Sequence, residues 1–261
     1  MSSISSKVLD NNYAVTRNYK EKVLDYLLYL GIFSGTSLIA GGIVHVLNDS
    51  IYNYILLIIG IIMTPICTVL REVYLNQKSI EGSIWHNFII SLTVSVSAGC
   101  FTGGINHIQE HFAFSLYLII SGFIMAFATT LLYRKKSITS ATIDFVLWLA
   151  TFTGMSLVSG SIVHGANDWF SNYFLIVVGT FLTPLAIMVK EKFVNKKKVR
   201  FGQDFILLTV LSFGVGCFTG GIIHIDINFN YSIVLIAIGF ALSFTAALQK
   251  NNGTLADLRS R

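Results

Sequence analysis

One sequence unit occurs four times in this chain. Aligned on His45, His107, His164 and His224, which lie 62, 57 and 60 residues apart, the copies match without a gap from 20 residues before the histidine to 15 after it. A repeat that keeps register over such a length is a structural unit, one that buries its apolar face against neighbouring copies. Each copy carries small residues at four positions before its histidine. Those in the first copy are Ser37, Ala40, Gly41 and Gly42; in the second, Gly99, Thr102, Gly103 and Gly104. The third has Ser156, Ser159, Gly160 and Ser161, and the fourth Gly216, Thr219, Gly220 and Gly221. Twenty residues before the histidine stand Asp25, Asn87, Asp144 and Asp204, each followed by an aromatic residue, and fifteen after it stand Gly60, Gly122, Gly179 and Gly239.

Alternate copies agree best. The first and third share Asn48-Asp49 and Asn167-Asp168 and own the only two prolines, Pro65 and Pro184, whereas the second and fourth share Cys100 and Cys217. Two rounds of duplication give this ABAB order.

Each copy holds two apolar segments long enough for a hydrocarbon core about 30 Å thick at about 1.5 Å per residue. Eight spans are expected, near 26–46, 53–70, 88–108, 114–133, 145–165, 172–189, 205–225 and 230–248. With 54% hydrophobic and 12% charged residues, the chain belongs in a lipid bilayer rather than in water. An even number of spans per copy makes all copies enter the membrane in one sense, so any axis relating them runs along the membrane normal. The expected fold is an all-α integral membrane protein: eight transmembrane helices as four parallel-related helical hairpins in a pseudo-fourfold (ABAB) ring. The hairpins fall at 25–76, 87–134, 144–191 and 204–249, between an N-terminal tail, 1–24, and a C-terminal tail, 250–261. Odd-numbered helices, with the small residues, are expected inside, and even-numbered helices, richer in Ile, Leu and Phe, toward lipid.

All 18 Lys and Arg lie in the tails or in the linkers between copies, and none lies in the four loops after the histidines. The positive-inside rule then puts both termini in the cytoplasm and the histidine ends outside, in a plasma membrane or bacterial inner membrane. Residues 1–24 have no apolar core or cleavage site of a secretory signal, so the first helix is expected to act as its own insertion signal. Arg134-Lys135-Lys136 and Lys196-Lys197-Lys198 suit topology determinants and anionic-lipid contacts, and such short runs make no case for nucleic acid.

Four ionisable side chains repeated at one depth point to a common centre or to four equivalent hydrogen bonds. Neutral imidazoles around an axis can ligate copper, zinc or iron, with Asp49, Glu110, Asp168 and Asp226 as acceptors orienting them. Two opposed histidines can also be axial ligands to haem, with the glycines leaving room for the macrocycle. The stripe of Ser37, Gly41, Gly42, Gly99, Gly103, Gly104, Ser156, Gly160, Ser161, Gly216, Gly220 and Gly221 lines a pathway or lets helices approach closely. Cys100 and Cys217, seven residues before their histidines, are a possible deeper site or small apolar filler. Asp25, Asn87, Asp144 and Asp204 are expected to cap helix N-termini, with a second polar ring at the inner mouth as the alternative. The run from His107 to His111 spells a metalloprotease pattern, but only His107 has repeated partners. No phosphate loop, dinucleotide fingerprint or nucleophile elbow supports an enzyme.

Three functional readings follow. The favoured one is binding of a transition metal or haem at an outward-facing ring of four histidines, for handling or electron transfer. The second is a channel or passive transporter for a small ion or solute along the glycine-rich odd helices, and the third is a ligand-free scaffold.

Overall fold

The computed structural model describes residues 3–45, 51–75, 84–108, 111–134, 138–164, 169–196 and 199–259, and the side chains of these ranges apart from 3–18, 132–134, 163–164, 169–171 and 250–259. The described chain is all helical. It comprises α1 (Ser3–His45), α2 (Ile51–Tyr74), α3 (Ile84–Asn106), α4 (Phe112–Arg134), α5 (Ile138–His164), α6 (Trp169–Val189), a π-helical turn (Lys190–Val194), α7 (Phe201–Ile223) and α8 (Phe229–Arg259). All eight α-helices contain a stretch long and apolar enough to cross a membrane.

Several helices run past the limits that hydropathy marks. α1 begins within the expected N-terminal tail, α8 continues into the C-terminal one, and α5 starts seven residues before 145. Apolar runs report where lipid contact is possible, whereas the helix continues as long as the backbone hydrogen-bond ladder does. One expectation changes as a result. Asp25, Asp144 and Asp204 lie inside the candidate spans, where the narrower limits had left the inner spans without charge.

Consecutive helices pair most extensively: α1 with α2, α3 with α4, α5 with α6, and α7 with α8. The same contact builds all four pairs. A methyl group on Gly60 would lie 2.5 Å from the carbonyl oxygen of Gly35, one on Gly122 2.6 Å from that of Ser97, and one on Gly239 2.5 Å from that of Gly214; Gly179 meets Gly154 likewise. In each case the glycine fifteen residues after the histidine faces the carbonyl ten residues before it. Only a residue without a side chain permits that approach, which is how helices associate where the surrounding lipid is as apolar as they are.

Odd helices also contact one another, α1 with α3, α3 with α5, α5 with α7 and α7 with α1. In the apolar windows of the odd helices, 44% to 67% of residues are buried, against 22% to 28% in the even ones. The even helices expose Ile58, Ile62, Ile120, Ile124, Phe174, Val177, Val234 and Ile238, a belt suited to acyl chains. Aromatic residues tie α1, α5 and α7 to the even helix of another pair. Tyr26 on α1 packs edge-on against Phe240 and Phe244 of α8 and hydrogen-bonds with Ser243 at 2.8 Å, and Phe145 on α5 packs the same way on Phe123 and Phe127 of α4.

Candidate functional site

The histidines end the odd helices. His45 and His164 are the last residues of α1 and α5, and His107 and His224 directly follow α3 and α7. Their position is set from the backbone, because a polar side chain eight residues further on reaches back to the histidine carbonyl. Asn53 donates to His45 at 2.9 Å, Ser115 to His107 at 3.0 Å and Ser232 to His224 at 3.1 Å. Asn172 holds the corresponding place in the third copy. This column adds a side-chain donor to the carbonyl at the helix end, which in His107 and His224 also accepts backbone N–H groups from the turn that follows. Its trace in the sequence is a repeated Asn or Ser eight residues after each histidine, a weaker signal than the histidines themselves.

Three of the four imidazoles come together. The ring of His45 stands edge-on to those of His107 and His224, with centroids 4.7 and 6.1 Å away. His107 and His224 are buried, at 5% and 2% exposure. The side chain of His164 lies outside the described residues, as do Asp49, Glu110 and Asp168 altogether. Asp226 is exposed in the turn after α7. Rather than turning to that carboxylate, the Nδ1 of His224 lies 3.0 Å from the carbonyl oxygen of Gly220, one turn back on its own helix. A carbonyl can only accept, so this contact puts the proton on Nδ1. His224 thus caps α7, and the orienting role expected of Asp226 is filled by the helix itself.

Beneath the imidazoles lies a cavity of about 10 Å³. All four odd helices line it: α1 with Ser37, Ala40, Gly41 and His45; α3 with Gly103, Asn106 and His107; α5 with Ser156, Ser159 and Gly160; α7 with Ile223 and His224. The space matches roughly one water molecule. Two side chains narrow it from equivalent positions, the residue before the histidine in the second and fourth copies. Ile223 fills the notch at Gly41, where a methyl group would lie 2.8 Å from its Cγ2, and Asn106 fills that at Gly160, where a methyl group would lie 2.6 Å from its Nδ2. Asn106 also donates to the Ser156 carbonyl at 3.0 Å and to its hydroxyl at 3.1 Å. The sequence pattern does not reveal this pair, because a column holding Val44, Asn106, Val163 and Ile223 shows no shared chemistry.

The remaining small residues have separate partners. Gly42, Gly104 and Gly221 make room within their own pairs for the backbones of α2, α4 and α8. Gly103 and Gly220 meet the carbonyl oxygens of Ala40 and Ser159, and Gly99 and Gly216 meet the side chains of Ile39 and Val158. Ser161 is buried at 3% exposure. This corrects the expectation that the glycines leave room for a macrocycle, since neighbouring helices already occupy the space their missing side chains release. Haem does not fit. Among the described residues, no group of three or more His, Cys, Asp and Glu side chains is placed to hold a metal ion. Cys100 packs in an apolar cluster with Val44 and Leu118, Cys217 is buried, and neither lines the axial cavity.

At the opposite end, the column expected to cap helices divides. Asp204 behaves as expected, its carboxylate accepting the backbone N–H of Arg200 at 2.7 Å at the start of α7. Asp25, in the middle of α1, accepts from Nε of Arg71 on α2 at 2.8 Å, and the guanidinium lies over the Tyr29 ring. Asn87 and Asp144 are buried at 7% and 2% exposure within α3 and α5, and line a second cavity of about 190 Å³. Capping is therefore corrected for Asp25 and Asp144, because α1 and α5 begin well before them.

Comparison with protein-family models, with curated proteins and with solved structures finds no match to this chain.

Proposed function

We propose that the protein is a channel or passive transporter for a small ion or solute, with its four hairpins in a pseudo-fourfold ABAB ring around a closed axial pathway. One observation carries this reading. All four odd helices contribute to a single cavity whose lining is small residues, hydroxyls, an amide and imidazoles, with Ile223 as its one bulky apolar member. Polar groups are costly inside a bilayer protein unless they serve a path or a bond, and here they face one shared space. Ile223 and Asn106 are the constriction, and the three described imidazoles form the mouth above it. Among the described residues the lining has no Lys, Arg, Asp or Glu, so selection falls to pore width and to oriented dipoles.

The segregation of Lys and Arg supports both termini in the cytoplasm and the mouth outside. A cysteine at Asn228 in a background without native cysteines is expected to react with an impermeant thiol reagent from outside the cell. Labelling only after the inner side is opened would reverse the orientation.

The pathway is tested in proteoliposomes by solute-driven volume change and by ion-sensitive dyes. Replacing Ile223 with alanine removes the apolar half of the constriction and is expected to raise the flux of at least one small solute about tenfold. If neither the wild type nor Ile223→Ala passes any ion or solute above protein-free vesicles, the pathway is lost. The scaffold reading then stands, favoured by the cap that His224 places on α7. Stoichiometric copper, zinc or iron in the purified protein, lost on replacing His45, would restore the metal reading.

A further inference from the structure

Twelve residues before the histidines the four copies carry Phe33, Ser95, Phe152 and Ser212, so large and small side chains alternate at this level in the ABAB order. The level lies four residues, about 6 Å, deeper than Ser37 and Ser156 of the axial cavity. Ser95 and Ser212 are buried and donate to carbonyls of their own helices, to Ser91 at 2.6 Å and to Leu208 at 2.8 Å. Phe33 on α1 and Phe152 on α5 pack against each other, with ring centroids 5.1 Å apart. In the ring proposed above, α1 and α5 stand opposite each other, so a contact between them crosses the axis.

Each phenyl is backed on its own helix by an aromatic ring at the equivalent position: Tyr29 stacks on Phe33 at 5.8 Å, and Trp148 lies against Phe152 at 4.6 Å. The surroundings of the two phenyls differ. Phe33 packs in the apolar cluster of Tyr26, Leu30, Met155 and Val215, whereas Phe152 borders the cavity of about 190 Å³, a space into which its ring can turn. One residue on from the phenyls, Ser34 and Thr153 have buried hydroxyl oxygens with no hydrogen-bond partner among the described residues. A buried hydroxyl without a partner is costly, and water entering at this level would satisfy both.

We propose that Phe33 and Phe152 are an inner gate on the pathway, closing it by excluding water, with Phe152 as the half that turns aside. This rests on the pathway reading above and adds to it a second closure, in series with Asn106 and Ile223. The polar level of Ser37 and Ser156 is then sealed at both ends. An apolar constriction needs no charge or hydrogen bond to close, because water leaves a narrow section that offers it no partners. Opening is favoured in turn by the hydrogen bonds that Ser34 and Thr153 gain.

The test uses proteoliposomes and three probes, water, glycerol and potassium ion, with Phe152→Cys added to an Ile223→Ala chain that lacks the native cysteines. Two closures in series mean that Phe152→Cys alone changes little, whereas together with Ile223→Ala it is expected to raise the flux of at least one probe about tenfold over Ile223→Ala. Benzyl methanethiosulfonate then attaches an aromatic ring to the new thiol through a disulfide and is expected to return the flux to the level of Ile223→Ala, and dithiothreitol to restore it. Both readings come from one folded sample, so closure by the ring is separated from damage to the fold. Phe33→Cys is the second variant, with the same outcomes, should Phe152→Cys not yield monodisperse protein. A flux through Ile223→Ala that the cysteine leaves unchanged overturns the gate and leaves the pathway standing, and so does a raised flux that benzylation does not lower. No flux of any probe through any of these variants overturns gate and pathway together.

Discussion

The two ends of the helical bundle began as the same kind of pattern, one residue column per end repeated four times, and the structure treats them differently. At the histidine end the equivalence persists: three described histidine carbonyls are held by the same +8 side chain, and three described imidazoles meet over one small space. At the other end the column of Asp25, Asn87, Asp144 and Asp204 serves three purposes, an ion pair, a helix cap and the wall of a 190 Å³ cavity. Equivalent positions share a backbone environment. They share chemistry only where the neighbours repeat as well, and the neighbours repeat best where glycines fix the distance between helices.

The largest expected effect tests that last statement. Leucine at Gly122 or Gly239 places a side chain where a methyl group would already lie 2.6 or 2.5 Å from a carbonyl of the paired helix, and the two helices must part. Each substitution is expected to destabilise by more than about 4 kcal/mol, seen as loss of monodisperse protein in detergent. Gly202 has nothing within 4 Å, so Gly202→Leu is the matched control and should leave thermal unfolding nearly unchanged. A normal unfolding temperature for Gly122→Leu would remove the glycine contact as the basis of the repeat.

A smaller effect separates the two halves of the constriction. Asn106 and Ile223 hold equivalent positions, one hydrogen-bonded to Ser156 and the other packed in an apolar notch. Asn106→Ile makes the second copy resemble the fourth and takes the amide donor from the Ser156 hydroxyl and from the Ser156 carbonyl, which keeps the Ser159 hydroxyl, in a space that admits about one water. The expected loss is about 1 to 3 kcal/mol by thermal or denaturant unfolding. No loss would mean that water replaces the amide and that the cavity is wetter than its volume suggests.

Much of the architecture was legible because hydropathy and small residues are properties of whole segments. The eight spans, the burial of odd helices and the lipid-facing character of even ones follow from where bulky and small side chains concentrate. Helix ends were less legible, since α1 and α8 continue through polar stretches that carry no membrane signal. For the site, the histidine column was visible because its chemistry repeats. Asn106 and Ile223 were not, because the constriction joins unlike side chains at like positions. Nor was the 190 Å³ cavity, whose lining comes from five helices at unrelated repeat positions and depends on a volume that no single residue encodes.

The smallest expected effect lies in the divided column. The Asp25–Arg71 pair is about a quarter to a third exposed, at 31% and 25%, so solvent screens much of its attraction. In Asp25→Asn the guanidinium keeps its place over Tyr29, 3.9 Å from the ring centroid, and the amide oxygen can still accept from Nε. The expected loss is about 0.5 kcal/mol. Asp204→Asn should lose less, a few tenths of a kcal/mol, because an Asn side-chain oxygen still accepts the Arg200 N–H and only the interaction of charge with the helix dipole is given up. Asp144→Asn, compared by thermal unfolding, places the third member on the same scale. If all three substitutions shift the unfolding temperature alike, the column has one common role after all, and the contrast between the ends of the bundle disappears.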